Sequence, residues 1–196
     1  HGCFALKSIT IPDSVDTIDK NAFSNCTSLE NIIIPNSITT IEFYAFYMCT
    51  NLKGNLYDNA MYLGNNENPY LVLLKAVNEE ITDFKINENT KFILDSAFRN
   101  CDNLKNIVIP RNIVSIGRHA FSSCNSLESV QIPNTLLYLG SRAFTETRAY
   151  IYCETEFEPS GWEDEWNYYG GYEYWNGEWE YDLNGNLINT FSSGIS

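Results

Sequence analysis

Apolar residues along this chain follow an order that returns every 23 residues. Each copy contains a cysteine, a leucine, two isoleucines separated by one residue, a proline, two further aliphatic residues and an Ala-Phe pair. In the first copy these are Cys3, Leu6, Ile9, Ile11, Pro12, Val15, Ile18, Ala22 and Phe23, and full later copies begin at Cys26, Cys101 and Cys124. Cys49 and Leu52 open a further copy that is then interrupted. Another copy runs from Ile81 to Phe98, with Asn78 in the cysteine position and Asn87 in the proline position. A fixed period of this length predicts a solenoid in which successive repeats stack and share one core.

The alternating pair of isoleucines predicts one short parallel β-strand in each repeat. In the first copy Ile9 and Ile11 would point inward, while Ser8 and Thr10 would point outward. Pro12 then ends the strand because a proline has no N–H to give to the hydrogen-bond ladder. Too few residues remain for a full helix, so we expect a short irregular or 3₁₀ turn at the Ala-Phe pair. The period and the Leu-x-x-Ile-x-Ile spacing are typical of leucine-rich repeats and predict a horseshoe-type α/β solenoid that is dominated by strands.

The same alternation places ten side chains on the outer face of the predicted sheet. We expect one sheet, in which Ile9, Ile32, Ile107 and Val130 are neighbouring rungs. Its mixed polar and aliphatic character, with little charge, suits a broad protein interface of modest affinity. The candidate partner-binding residues are Ser8, Thr10, Asn31, Ile33, Asp83, Lys85, Asn106, Val108, Ser129 and Gln131.

The repeat pattern is interrupted between about residues 53 and 77. Two apolar, aromatic-rich runs, residues 55–63 and 70–75, flank a polar stretch of glycine, asparagine and proline. Such runs around such a turn predict a β-hairpin with a longer loop. We expect this inserted hairpin to pack on the solenoid; the alternative is that it recognises a partner.

The chain carries 25 acidic and 12 basic residues, a net charge of −13. This balance argues against nucleic acid or an anionic membrane surface as partner, since both bind clustered positive charge. No apolar run reaches the roughly 20 residues that span a bilayer, so we expect no membrane insertion. Residues 149–196 hold ten acidic residues and no basic one. This shift predicts a solenoid over residues 1–150 and an acidic, aromatic capping segment over residues 151–196.

Residues 9–29 read Ile-Thr-Ile-Pro-x-x-Val-x-x-Ile-x-x-x-Ala-Phe-x-x-Cys-x-x-Leu. This motif resembles the repeat of the BspA-type, or Treponema pallidum-like, leucine-rich repeat proteins of bacterial surfaces, and the likeness extends from His1 to about Phe144. His1-Gly2-Cys3 resembles the end of the family's Ala-Phe-x-Gly-Cys junction, so the chain is expected to be a fragment of a longer one. The resemblance implies secretion or display on a bacterial surface, binding to host or microbial extracellular proteins, and no enzymatic activity.

Candidate catalytic and metal-binding residues are few. Five of the six cysteines hold the same position of the repeat and no Cys-x-x-Cys pair exists, which indicates a row of small buried residues rather than a zinc site. His119 lies on the outer arc of a repeat and is expected to face solvent. Glu163, Asp164 and Glu165 are closely spaced, as the carboxylates of a glycosidase can be, but such a charge run is usually a solvated face. We therefore predict no catalytic residue, no bound metal and no cofactor.

The C-terminal segment is rich in aromatic residues and contains all four tryptophans. One interpretation is a β cap that covers the open end of the solenoid and blocks strand addition there. In this cap Asn184-Gly185 would form the two-residue turn of a hairpin. The other interpretation is carbohydrate binding, in which exposed rings stack on sugars. The candidate glycan-binding residues are Trp162, Trp166, Trp175 and Trp179.

The sequence thus favours a non-enzymatic extracellular adhesion module that presents the outer sheet face to a protein partner. Carbohydrate binding through the aromatic C-terminal segment is the first alternative. A structural spacer within a larger surface protein is the second alternative, and it predicts no ligand at all.

Overall fold

The structure, a computed structural model, describes residues 2–175 in full and the segments 179–181 and 187–189 by their backbone. These residues form strands and turns and no helix, so no helix among them could cross a membrane. The strands are β1 (Ser8–Thr10), β2 (Thr17–Ile18), β3 (Asn31–Ile33), β4 (Thr40–Ile41), β5 (Asn55–Tyr57), β6 (Ala60–Leu63), β7 (Val72–Ala76), β8 (Asp83–Lys85), β9 (Phe92–Ile93), β10 (Asn106–Val108), β11 (Ser115–Ile116), β12 (Ser129–Ile132), β13 (Tyr138–Leu139), β14 (Tyr150–Cys153), β15 (Tyr172–Tyr174), β16 (Trp179–Tyr181) and β17 (Leu187–Asn189).

Each regular repeat contributes two short strands, where the sequence predicted one. The first, such as β1 or β3, carries the alternating isoleucines, and the second, such as β2 or β4, is the Thr-Ile pair that follows. Both lie parallel to their counterparts in the next repeat, with Ile9 opposite Ile32 and Ile18 opposite Ile41. Threonine and isoleucine are branched at Cβ and favour extended backbone, which explains the second strand. Two residues are too few to show an alternation of apolar and polar positions, so the hydrophobic pattern does not reveal the second strand.

After the second strand the chain returns through a turn that we call the arc, residues 19–29 in the first repeat. Each regular arc contains two non-glycine residues with positive φ, such as His119 at 55° and Ser123 at 60°. They flank the Ala-Phe pair, whose phenylalanine N–H donates to the next arc; the distance from Phe121 N to Ala143 O is 2.7 Å. The arcs are therefore irregular turns, as the sequence indicated, and backbone hydrogen bonds join one arc to the next.

The phenylalanines of successive arcs stack inside the solenoid. The ring centroids of Phe98 and Phe121 are 5.2 Å apart and those of Phe121 and Phe144 are 5.0 Å apart, with nearly parallel planes. All three rings are fully buried among the aliphatic residues of the strands. Burial of one phenylalanine side chain stabilises a fold by roughly 1.5–3 kcal/mol, so this row of rings is a major source of stability.

The insertion forms the predicted hairpin and one further strand. β5 and β6 pair antiparallel around Asp58 and Asn59, whose φ angles of 48° match a tight type I′ turn. β6 then pairs antiparallel with β7, and β7 pairs parallel with β9. The insertion is thus built into the second sheet of the solenoid. The predicted hairpin is confirmed as β6 and β7, and the additional strand β5 was not predicted because the run 55–63 contains a turn of its own.

The insertion also joins the two halves of the core. Leu63 and Val72 pack with the core of the first two repeats, whereas Tyr62 and Leu73 pack with that of the later repeats. Consecutive residues of a strand point to opposite faces, so both strands contribute to both halves.

The first sheet is not continuous, and the prediction of a single sheet is wrong. β1 and β3 form one sheet, while β8, β10, β12, β14 and β15 form another. Ile32 and Ile107 therefore belong to different sheets. At the break Ile33 pairs with Gly64 of the insertion, and the N–H of Ile34 donates to Gly64 O at 3.0 Å. The insertion fills the place of one strand there without forming a regular one.

The C-terminal segment continues the stack past the boundary predicted at residue 150. β14 pairs parallel with β12, and β15 pairs parallel with β14. Trp162 forms a parallel bridge with Leu139, and the Trp166 carbonyl accepts the N–H of Phe144. β16 and β17 pair antiparallel, but the turn predicted at Asn184-Gly185 lies outside the described residues. A degenerate copy of the arc thus covers the last repeat, which supports the interpretation as a cap.

Candidate functional site

The outward side chains of the first-sheet strands line one side of the solenoid, which we call the strand face. Register places its members beside one another, such as Ser8 beside Asn31 and Thr10 beside Ile33. Eight of the ten side chains are exposed, and Ser129 and Gln131 are half-buried. The strand face consists of Ser8, Thr10, Asn31, Ile33, Asp83, Lys85, Asn106, Val108, Ser129 and Gln131. These positions point outward as the alternation predicted.

Hydrogen bonds connect several polar side chains of the strand face. Asn106 Nδ2 donates to Asp83 Oδ1 at 2.7 Å, and this bond lowers the pKa of the Asp83 carboxyl below its ordinary value. Gln131 Nε2 donates to Glu154 Oε1 at 2.6 Å, and the same oxygen accepts a bond from Arg111. Since these bonds already order the side chains, a partner would lose less conformational entropy on binding here.

Four tyrosines extend the strand face beyond the residues that the sequence singled out. On β14 and β15, Tyr150 lies opposite Tyr172 and Tyr152 opposite Tyr174. The ring centroids are 5.9 Å apart in the first pair and 5.3 Å apart in the second, and both pairs are stacked. Tyr150 is 47% exposed and Tyr172 is 69% exposed, whereas Tyr152 is buried. This tyrosine cluster adjoins Ser129, which pairs with Tyr150.

The sequence contains a signal for the tyrosine cluster in two Tyr-x-Tyr triplets, residues 150–152 and 172–174. Alternate positions of a strand share a face, so each triplet presents two tyrosines on one side. The period obscures this signal, because Tyr150 lies 21 residues after its partner Ser129 rather than 23. Val108, a strand-face residue that is 54% exposed, lies two strands away from the cluster.

Three of the four tryptophans pack on one another. Trp162 and Trp166 are buried, in edge-to-face contact with ring centroids 5.2 Å apart. Trp175 is half-buried, with its centroid 5.9 Å from that of Trp162. The side chain of Trp179 lies outside the described residues. A buried ring offers no free face to a sugar, so at Trp162 and Trp166 the structure favours the cap over glycan binding.

The cysteines are free thiols, and the repeat position buries most of them. Those that are fully buried are Cys26, Cys101, Cys124 and Cys153, whereas Cys49 is half-buried and Cys3 is exposed. Burial raises the pKa of Cys49 and Cys101 to about 11 and that of Cys124 to about 12. A thiol that stays protonated is a poor nucleophile and a poor metal ligand. Residues 2–175 contain no group of three His, Cys, Asp or Glu side chains placed to hold a metal ion.

Two titratable side chains of the arcs, His119 and Glu163, have pKa values that are lowered by their surroundings. His119 is half-buried rather than solvent-facing as expected, and burial together with nearby Arg99 lowers its pKa. Glu163 accepts two bonds from Arg118, from Nε at 2.7 Å and from Nη2 at 2.5 Å. Burial alone would raise the pKa of Glu163, but the bonds from Arg118 and from the N–H of Ser141 outweigh it and lower the pKa. A carboxyl with a lowered pKa in an ion pair is poorly suited to general acid catalysis near neutral pH.

One protein family matches the chain, and it is defined by a repeated sequence. The chain matches the BspA type leucine rich repeat region in six copies, over residues 1–66 and 77–156. No protein of curated function matches the chain in sequence.

Several solved structures are similar to the chain. A leucine-rich repeat protein from Bacteroides ovatus is 26% identical, with 82% of this chain and 45% of that one covered and a TM-score of 0.36. The T. pallidum leucine rich repeat protein is 24% identical, with 74% and 65% covered and a TM-score of 0.39. A leucine rich cell surface protein from Faecalibacterium prausnitzii is 18% identical, with 88% and 60% covered and a TM-score of 0.45. The chain therefore spans about half to two thirds of the length of these three proteins.

Proposed function

Because the chain belongs to the BspA-type leucine-rich repeat family, we propose that it is a non-enzymatic module that binds a protein partner on its strand face outside the bacterial cell. Repeat solenoids use their extended, regularly spaced surfaces for binding. Membership of a family of bacterial surface proteins supports the extracellular location. Host or microbial extracellular proteins are the partners that we propose, with adhesion as the outcome of binding.

The observation that carries this proposal is the continuation of the strand face into the tyrosine cluster. Tyr150 and Tyr172 present broad exposed rings, and Val108 adds an exposed aliphatic side chain on the same sheet. Tyrosine is enriched at the energetic centres of protein interfaces, because its ring buries much area with little loss of side-chain entropy. Ser129 and Gln131 adjoin this aromatic end on β12, as polar residues do at the rim of a protein interface.

A capture experiment with two matched variants tests the proposal. Val108 and Leu137 are both exposed aliphatic residues, but Leu137 directly precedes β13 in the second sheet. The immobilised chain is exposed to host extracellular proteins, and the retained proteins are quantified by mass spectrometry. We expect Val108→Glu to reduce retention of the partner by about tenfold or more, while Leu137→Glu leaves retention unchanged. Equal retention by both variants would place the contact elsewhere, and no specific retention would favour a structural spacer.

Carbohydrate binding is a second candidate, favoured by the exposed rings of Tyr150 and Tyr172 rather than by the tryptophans. Stacking on a sugar needs an accessible ring face; because Tyr150 and Tyr172 stack on each other, a sugar would meet the face of each exposed ring that the other ring does not cover. A glycan array with the single variants Tyr150→Ala and Tyr172→Ala tests it. Retained sugars that are lost in both variants would support glycan binding, and an array without signal would contradict it.

A further inference from the structure

The third repeat, which contains the insertion, has a shorter arc than its neighbours. Eight positions separate Leu73, in the second strand, from Ile81, whereas eleven separate the equivalent Ile93 and Leu104. The third arc also lacks the Ala-Phe pair. A cleft of about 480 Å³ lies beside the arc of the second repeat, residues 42–52. This volume falls within the roughly 300–1,000 Å³ that is typical of ligand sites.

One wall of the cleft has backbone donors that lack acceptors. In a regular arc the N–H of the phenylalanine and the N–H two residues later both donate to the next arc, as those of Phe121 and Ser123 do. The equivalent N–H groups of the second arc belong to Phe46 and Met48, which both line the cleft. Neither N–H has a hydrogen-bond partner among the described residues. Unpaired backbone N–H groups of this kind can donate hydrogen bonds to the carbonyl groups of an added chain segment.

One carboxylate connects the two sides of the cleft. Asp95 Oδ2 accepts the N–H of Tyr44 at 2.5 Å, and Asp95 Oδ1 accepts the N–H of Arg118 at 2.6 Å. The Arg118 guanidinium lies 3.7 Å from the centroid of the Phe43 ring. These contacts position the second arc relative to the later ones and leave Phe46 and Met48 at the cleft.

The other lining residues combine apolar surface with positive charge. Leu74 and Phe92 line the cleft together with Tyr47, which is exposed. Lys75 and Arg99 line it as well, and no carboxylate of the described residues forms an ion pair with either.

The two acidic residues that line the cleft, Asp95 and Glu42, accept backbone hydrogen bonds. Asp95 accepts the two backbone bonds described above, and Glu42 Oε2 accepts the N–H of Lys20 at 3.2 Å. The cleft is lined by as many carboxylates as cations in a chain of net charge −13, and Lys75 and Arg99, which form no ion pair with a described carboxylate, are the groups that an acidic side chain of a ligand would meet.

We propose that the cleft binds a short acidic peptide segment of a partner protein, which takes the place of the residues that the shortened third arc lacks. Two carbonyls of the segment accept the N–H groups of Phe46 and Met48. An aromatic or aliphatic side chain between them packs on Leu74, and an acidic side chain meets Arg99. This site lies on the arc side of the solenoid and is independent of the strand face.

A synthetic peptide tests the site on the full chain. The probe is an acetylated and amidated Leu-Asp-Ser-Ala-Phe-Glu-Asn, which copies residues 94–100 except for a glutamate in place of Arg99. Affinity is measured by fluorescence anisotropy, and backbone amide exchange is measured by NMR. We expect exchange at Phe46 and Met48 to slow by about tenfold or more on binding. Exchange at Phe121 and Ser123, which are already hydrogen-bonded, should stay unchanged.

Matched charge variants locate the binding. Arg99→Glu should weaken the peptide affinity by about tenfold, whereas Lys105→Glu, the same charge change at an exposed residue that does not line the cleft, should leave it within about twofold. The strand-face variant Val108→Glu should not alter the peptide affinity, so the proposal for the cleft and the proposal for the strand face are tested independently.

No binding at millimolar peptide would overturn the proposal, as would binding that leaves Phe46 and Met48 unprotected. Slow exchange at these two amides in the free chain, together with self-association, would assign the cleft to a second copy and overturn it too.

Discussion

The backbone N–H of Tyr44 donates to the carboxylate of Asp95 at 2.5 Å, across the place where an arc is shortened. In regular repeats the equivalent N–H donates to a backbone carbonyl of the next arc, as that of Asn21 does to Phe43 O at 3.3 Å. A side chain therefore replaces a backbone acceptor at this break in the stack. Asp95 should contribute to the stability of the solenoid for that reason.

Replacement of Asp95 by alanine should destabilise the protein. Asp95→Ala leaves the N–H groups of Tyr44 and Arg118 without their acceptor, and such a loss costs about 1–3 kcal/mol in partly buried surroundings. Urea unfolding measures the change in free energy. Asp19→Ala, which removes an exposed carboxylate from the first arc, serves as the control and should change stability by less than about 0.5 kcal/mol. Equal losses in both variants would contradict the role of Asp95.

The contribution of Asp95 should depend on pH. Burial raises the pKa of its carboxyl above the ordinary value of 3.8, although the backbone bonds oppose this shift. The folded protein then binds this proton more tightly than the unfolded chain does, so stability is lost as pH rises from about 4 toward the folded-state pKa. The free energy of unfolding of the wild type should fall relative to that of Asp95→Asn, which does not titrate, as pH rises across that range. A wild-type advantage that grows with pH would mean that the pKa is lowered instead.

The ion pair between Arg118 and Glu163 should be worth more than a surface pair. Both side chains are about one quarter exposed, and two bonds join them. Arg118→Met keeps the aliphatic stem of the side chain and should cost about 1.5–3 kcal/mol, because it removes bonds between charged groups. Glu163→Gln should cost a similar amount. In a double-mutant cycle the combined loss should be smaller than the sum, and strict additivity would show that the two groups do not interact.

The cysteines should differ sharply in reactivity. Cys3 is exposed and should be alkylated by iodoacetamide within the first minutes at pH 8. Cys101 and Cys124 are buried, with pKa values raised to about 11 and about 12, so little thiolate is available and access is closed. Peptide mass spectrometry after a short pulse measures the modification of each cysteine. Modification of Cys124 at the rate of Cys3 would contradict the packed core.

The regular part of the fold could be predicted from the sequence because a single period determines which side chains are buried. Ile9 and Ile32 align in parallel register, and the residues that flank each of them on β1 and β3 are exposed as expected. The two-residue strand at Thr17–Ile18 could not be predicted, because its pairing arises from the stacking of neighbouring repeats. The break at Gly64 depends on the path of the insertion, which no local pattern specifies.

The candidate site was only partly predictable. The strand face follows from alternation, but the tyrosine cluster lies outside the 23-residue frame, since Tyr150 follows Ser129 by 21 residues. Trp162 and Trp166 are candidates for the alternative of glycan binding in the sequence, because sequence alone does not show which aromatic rings are covered. The cleft lies where the third arc provides no backbone carbonyl for the N–H groups of Phe46 and Met48. The absence of a hydrogen-bond acceptor leaves no motif in the sequence.

Oxidative footprinting of the chain with its captured partner tests the strand face most directly. Hydroxyl radicals label exposed side chains, and mass spectrometry compares labelling in the free and bound chain. We expect Tyr150 and Tyr172 to lose most of their labelling in the complex, while Leu137 and the cleft residue Tyr47 keep theirs. Unchanged labelling of Tyr150 and Tyr172, with protection at Leu137 or Tyr47 instead, would show that the strand face is not the binding surface.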